Sequence, residues 1–371
     1  MLADVGIVLL CRFNAIYEIY YRREGYSGKS VSSISNHSKF AMTKDTNAGN
    51  VIRLAAAQAL SMTTMNVNII NTALVGSLLA PVPWLATLGL SLQFIFSMLT
   101  TLPASLLMVR FGRREVFIGG VMIAAFSAFL QGFSILISNF TMFCFASMML
   151  GIAHGCAGFY RYAAADSAAE PEKPRAISYV LAGGLLAAIM GPEIARNTVG
   201  LVSDHLYAGC YFSVALVQLI SLGFLVGVKI PKPKLTQSGG RPIGMFLATP
   251  VFTAGAISAA IGYALMSYVM TATPLQIVNV AKLGTSANAT IIQWHVVAMF
   301  APSFFTGHLI IRFGVKHILT VGIVLYLTAI ACALGGGGFW WYFSALALIG
   351  LGWNFLYIGG STLVASVASP E

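Results

Sequence analysis

From residue 54 to residue 367 the chain is a succession of apolar runs, each long enough to cross a bilayer as a helix and each separated from the next by a short polar break. A spanning helix needs about 20 predominantly apolar residues to cover about 30 Å of hydrocarbon. The runs fall at 54–79, 84–109, 115–137, 140–162, 176–200, 207–228, 248–278, 288–311, 316–335 and 340–367. Pro274 interrupts the seventh. This spacing predicts ten membrane-spanning helices.

Composition points the same way. Of 371 residues 58% are apolar and 9% charged, with a mean hydropathy of +0.83. A soluble chain carries roughly 25% charged residues, so lipid must solvate most of this surface. The expected fold class is all-α, a polytopic helical membrane protein with the bilayer as its first partner. The net charge of +10 would suggest nucleic acid in a soluble chain; here basic loops on one membrane face explain it, and no nucleic-acid partner is expected. Cys11, Cys144, Cys156, Cys210 and Cys332 are scattered, without metal-ligand spacing, and read as small apolar fillers.

One phrase occurs twice. Arg110-Phe111-Gly112-Arg113-Arg114 returns, weakened, as Arg312-Phe313-Gly314-Val315-Lys316, each copy squeezed between two apolar runs. Two copies at equivalent places indicate a duplicated membrane protein. Lys and Arg resist translocation, so they mark cytoplasmic loops. One side of the predicted topology holds Arg110, Arg113, Arg114, Arg161, Lys173, Arg175, Lys229, Lys232, Lys234, Arg241, Arg312 and Lys316; the other holds Arg196 and Lys282. Both termini and the loop 229–247 are therefore expected in the cytoplasm, in a multi-pass protein of the inner or plasma membrane.

Four segments follow. Residues 51–228 form a six-span bundle and 248–371 a four-span bundle, joined by the Pro-, Gly- and Lys-rich linker 229–247. Residues 1–50 stand outside the pattern: either an over-called start with Met42 as the initiator, or a poorly ordered cytoplasmic extension.

The loop phrase resembles the signature loop of the major facilitator superfamily, Gly-x-x-x-Asp-Arg-x-Gly-Arg-Arg. Arg110, Gly112, Arg113 and Arg114 match it; Ser105 and Val109 replace its glycine and its acid. In the second copy Gly307, Arg312, Gly314 and Lys316 match, with Ile311 in the acidic position. Ala187-Ala188-Ile189-Met190-Gly191-Pro192 is similar to the Gly-Pro motif of the family's antiporters. Gly191 would permit close helix approach and Pro192 a bend; a packing kink is the plainer alternative. Gly151-x-x-x-Gly155-x-x-Gly158 resembles the glycine part of another family motif. The resemblance implies twelve spans as six plus six, so the chain is expected to be two spans short, either truncated or working as an incomplete bundle. It further implies secondary transport of a small organic solute by alternating access.

Polar groups within spans are costly and are functional candidates by default. Gln58, Ser61, Asn68 and Thr72 share one stripe of the first span and are candidates for cavity lining, against interhelical hydrogen bonds worth roughly 0.6–2 kcal/mol. Gln293 and His295 lie in the eighth span, His295 being able to titrate near neutral pH. Tyr268, Thr271 and Thr273 precede Pro274, where freed carbonyls could meet substrate. Trp353, Asn354 and Tyr357 lie in the tenth span. Glu193 is a candidate coupling carboxylate or an ion-pair partner of Arg196. Asp166 is a candidate gating partner of Arg161 or a solvated loop charge.

No catalytic set, nucleotide loop or cofactor motif emerges, so an enzyme or ATP-driven pump is not expected. The leading expectation is proton-coupled antiport or efflux of a neutral or mildly amphipathic solute, with protons as the second partner. The alternative is a non-transporting relic or receptor-like scaffold.

Overall fold

The computed structural model describes residues 48–168, 173–230 and 243–367. The expected N-terminal segment up to residue 47, with its internal start at Met42, lies outside the described residues, as do 231–242 of the linker.

Thirteen helices follow one another among the described residues: α1 (Ala48–Leu79), α2 (Leu88–Phe111), α3 (Arg113–Leu136), α4 (Phe140–Ala157), α5 (Tyr160–Asp166), α6 (Lys173–Thr198), α7 (Ala208–Val226), α8 (Ile243–Leu247), α9 (Pro250–Leu275), α10 (Gly284–Phe300), α11 (Ser303–Phe313), α12 (Val315–Gly335) and α13 (Phe339–Val367). The all-α membrane architecture is as the sequence predicts. Eight candidate spans pass for length and apolarity, or nine when α10 and α11 are taken as one span bent by 42°. The remaining long helix, α1, has 32 residues but is too polar to stand among them. Its Ser61, Thr63, Thr64, Asn66, Asn68, Asn71 and Thr72 are all buried. Protein, rather than lipid, surrounds that helix.

Two expected spans differ in detail. The run 288–311 is α10 and α11, broken at Ala301-Pro302. Pro302 has no N–H to continue the ladder, and its ring crowds the preceding turn. Conversely, Pro274 does not end α9, which runs to Leu275 and continues as a π-helical turn, Gln276–Val280.

The duplicated phrase has one backbone solution in both places. Gly112 is the only residue between α2 and α3, with φ 108° and ψ 155°; Gly314 alone separates α11 from α12, with φ 82° and ψ 150°. This region is essentially reserved for glycine. In both copies the arginine before the phenylalanine lies over its ring, Arg110 at 5.3 Å and Arg312 at 5.2 Å.

Within the first half α1 packs on α6 and α7, α2 on α4, and α3 on α7 and α4. Within the second, α13 packs on α9, α10 and α12. The halves meet chiefly where α6 crosses α10 and where α1 meets α9.

Candidate functional site

A cavity of about 170 Å³ lies between the halves, reached by α1, α2, α5, α6, α9, α10 and α13. Five methionines line it: Met62, Met65, Met266, Met270 and Met299. Phe94, Tyr263, Phe300, Trp353 and Tyr357 line it as well. Trp353 and Tyr357 are four residues apart on α13, hence neighbours on one helical face. Their rings stack 4.8 Å apart at 10°, forming a flat slab. Phe300 meets Trp353 edge-on at 6.0 Å, and Tyr263 leans on Trp353 and Tyr357 at 6.2 and 6.4 Å. Methionine adapts its shape and aromatic faces favour planar rings. Arg161 brings the one formal charge among the lining residues and hydrogen-bonds Tyr162 and Tyr357.

A wider cavity of about 590 Å³ adjoins the first, sharing Met62, Met65, Phe94, Tyr263 and Ser267 with it. It extends along α1, α2 and α4 toward the Arg-rich face and adds Gln58, Ser61, Gln93, Ser97, Thr101 and His154. Gln93, His154 and Ser267 were not singled out in the sequence. Gln93 is a lone amide in an apolar run, and His154 sits inside the Gly151-x-x-x-Gly155 motif.

The polar stripe of α1 changes neighbours along its length. Gln58 and Ser61 line the wider cavity. Asn68 and Thr72 instead enter a network inside the first half: Gln131 Nε2 donates to Asn68 Oδ1 at 3.0 Å and to Ser147 Oγ at 2.9 Å, and Thr72 meets the Tyr211 hydroxyl at 3.1 Å. Gly191 lets α6 approach α1, since a Cβ there would lie 2.6 Å from Asn66 Cβ. Asn66 Nδ2 donates to the Ala187 carbonyl at 2.9 Å, just before Pro192.

In the second half, Tyr357 lines the central cavity, whereas Asn354 is structural in its contacts. Its Nδ2 donates to the Met299 carbonyl and Ser303 Oγ at 2.6 and 2.7 Å, and its Oδ1 accepts from Thr306, spanning the α10–α11 break. His295 is fully buried, its Nδ1 placed 2.6 Å from the Leu346 carbonyl, which makes Nδ1 the protonated nitrogen. It lines neither cavity, and nor does the half-buried Gln293. Tyr268 is 70% exposed on the outer surface. Thr271 and Thr273 turn their hydroxyls back to the carbonyls of Ser267 and Val269 and line neither cavity.

The carboxylates sit at the ends of the spans. Asp166 pairs with Arg113 of the duplicated phrase; the expected partner Arg161 points instead to the cavity. Arg161 and Asp166 lie on α5 five positions apart, about 140° around the helix, so the two side chains leave on different sides. Glu193 pairs with Arg196, whose Nη2 donates to Thr290 Oγ1 at 3.0 Å across the halves. Two more cross-half bonds lie on this face, Asn279 Nδ2 to Ser77 Oγ and Asn288 Nδ2 to the Ile70 carbonyl, both 3.3 Å. On the Arg-rich face Arg114 donates to the Val226 carbonyl at 2.8 Å and Arg53 to that of Gly227 at 2.7 Å, both within the first half. Lys316 is the second residue of α12, after Val315. Among the described residues no group of His, Cys, Asp or Glu is arranged to hold a metal ion.

Residues 54–371 match the family model of the Major Facilitator Superfamily. The riboflavin transporter RfnT of Brucella anthropi is 39% identical over 328 residues, covering 86% of this chain and 81% of that protein. The uncharacterized MFS-type transporter YddS of Bacillus subtilis is 27% identical over 282 residues, covering 71% and 64%. Among solved structures, a bacterial homologue of the human lysosomal transporter Spinster, inward-facing and unoccupied, aligns with a TM-score of 0.65 at 15% identity, over 88% of this chain and 77% of that one. The transporter FucP in its outward conformation aligns with a TM-score of 0.55 at 16% identity, over 85% and 90%. These two likenesses concern the fold.

Proposed function

Because this chain belongs to the Major Facilitator Superfamily, and is a multi-pass membrane transporter rather than an enzyme, we propose that the cavity between its halves carries a planar heteroaromatic solute of the riboflavin kind. The observation that carries this reading is the stacked Trp353–Tyr357 slab in a cavity also lined by five methionines. Ring stacking is worth about 0.5–1.5 kcal/mol beyond the area it buries, and a thioether wall admits a ring without demanding one outline. The likeness to a riboflavin transporter over most of both chains supports the same substrate class.

Alternating access needs a face that opens while the other is clasped. The cross-half bonds of Arg196, Asn279 and Asn288 clasp the face opposite the arginines. With the Arg-rich face in the cytoplasm, as the distribution of Lys and Arg favours, the clasped face is the outer one, and both chain termini lie inside the cell. The finer reading, exchange of the solute against protons, is supported by Glu193. Its protonation would release Arg196 from the ion pair and loosen the bond to Thr290, linking proton binding to the outer clasp.

Proteoliposomes loaded with riboflavin test the proposal by counterflow of labelled riboflavin. Saturable exchange is the expected result, and folded protein that exchanges no flavin sinks the substrate reading. An imposed pH gradient tests the finer part: it should drive accumulation in the parent protein and not in Glu193→Gln, and equal accumulation in both would remove Glu193 from coupling.

A further inference from the structure

Several buried side-chain atoms lack a hydrogen-bond partner, and five of them belong to residues that line the two adjoining cavities: Gln93 Oε1, His154 Nε2, Arg161 Nε, Ser267 Oγ and Trp353 Nε1. An unsatisfied buried polar group costs about 1–3 kcal/mol, so such groups on residues that line adjoining cavities point to a ligand that supplies the missing partners.

Gln93 and His154 stand out because they are already joined. Gln93 Nε2 lies 3.1 Å from His154 Nδ1, and Gln93 is fully buried. Two glycines bring their helices this close: a Cβ at Gly151 would overlap the Gln93 carbonyl, and one at Gly155 would lie 2.8 Å from the Ser97 carbonyl. Sharing one hydrogen bond settles what the pair offers. If the amide donates to Nδ1, Gln93 Oε1 is a free acceptor and His154 Nε2–H a free donor. If the amide is turned round, Nδ1–H donates to Oε1, and the free groups are an amide donor and a lone pair on Nε2. Either way the neutral pair presents a donor beside an acceptor.

We infer that Gln93 and His154 read the cyclic imide edge of the substrate's heterocycle, where an N–H stands beside a carbonyl, while the Trp353–Tyr357 slab takes the ring face. This rests on the flavin reading above. The edge is the pyrimidine side of the isoalloxazine ring, whose N3–H lies between two carbonyls. A solute of similar shape without an adjacent donor and acceptor leaves the pair unsatisfied.

The experiment is a fluorescence-quench titration of the purified full-length protein in detergent with riboflavin and with 3-methylriboflavin, which keeps the ring and loses the N3–H. The wild-type protein should bind the methylated compound about tenfold more weakly, the scale of one hydrogen bond. Gln93→Leu and His154→Phe should weaken riboflavin binding by a similar factor and bind both compounds alike, since the contact that tells them apart is gone. Equal binding of both compounds by the wild-type protein overturns the inference, as do variants that still discriminate between them. The wild-type comparison needs no variant to fold. Failure of the wild-type protein to bind riboflavin at all would instead remove the substrate reading on which the inference rests.

Discussion

Ser77 at the end of α1 and Asn279 in the π-helical turn after α9 face each other across the two halves, Asn279 Nδ2 donating to Ser77 Oγ at 3.3 Å. They are 202 residues apart in the chain. Their approach belongs to a clasp that also includes Arg196 with Thr290, and Asn288 with the Ile70 carbonyl.

If this clasp opens once in each transport cycle, a covalent bond in its place stops the cycle. Ser77→Cys with Asn279→Cys should cross-link under mild oxidant, abolish riboflavin exchange, and recover it on reduction. Cross-linked protein that still exchanges would show that this face does not move. Cys144, Cys156 and Cys210 are buried and Cys332 half-buried, so the single-cysteine variants serve as controls.

The aromatic slab makes a graded prediction. Trp353→Ala removes the ring against which Tyr357 stacks and Phe300 abuts. Flavin affinity should fall by about tenfold, in line with roughly 1.5 kcal/mol for an aromatic pair, while Trp353→Phe should retain most of it. Calorimetric titration in detergent reads both; equal losses would point to a role other than stacking.

Gly112 and Gly314 hold backbone angles that other residues tolerate poorly. Alanine at either position should cost about 1–3 kcal/mol of stability. Because the two turns share one geometry, the two losses should be similar in size. The check is a thermal melt followed by size-exclusion chromatography. Unchanged melting for Gly314→Ala, where a Cβ would have open space around it, would show that the turn relaxes and that the strain argument is wrong there.

His295 donates from Nδ1 to the Leu346 carbonyl and so ties α10 to α13. His295→Ala removes the bond that ties the two helices, and the expected loss for that bond is about 0.5–1.5 kcal/mol of stability. The pH profile of flavin exchange should keep its shape. A displaced profile in protein of normal stability would return His295 to the coupling machinery.

Several features were legible before any coordinates. The helices, their number to within one or two, and the short basic loops of the duplicated phrase are local matters, written in runs of apolar residues and in the charges between them. The site was legible only in part. Gln58, Ser61, Tyr357 and Arg161 reach the cavities, while Asn68, Thr72 and Asn354, just as polar, serve bonds inside each half. Gln93 and His154 escaped notice because a single amide or imidazole in an apolar run carries no periodic signal; only the glycine-mediated approach of α4 to α2 joins them.

By itself, then, the sequence determined that this is a helical membrane protein, which family it resembles, and where its basic loops fall. Hydropathy and charge are properties of short segments, so they need no partner to be read. Tertiary structure alone decided that Asp166 meets Arg113 rather than Arg161, that Pro302 and not Pro274 breaks a span, and which polar side chains face the cavity. A side chain's role in lipid depends on what lies across from it, and distant segments choose that neighbour when the helices pack.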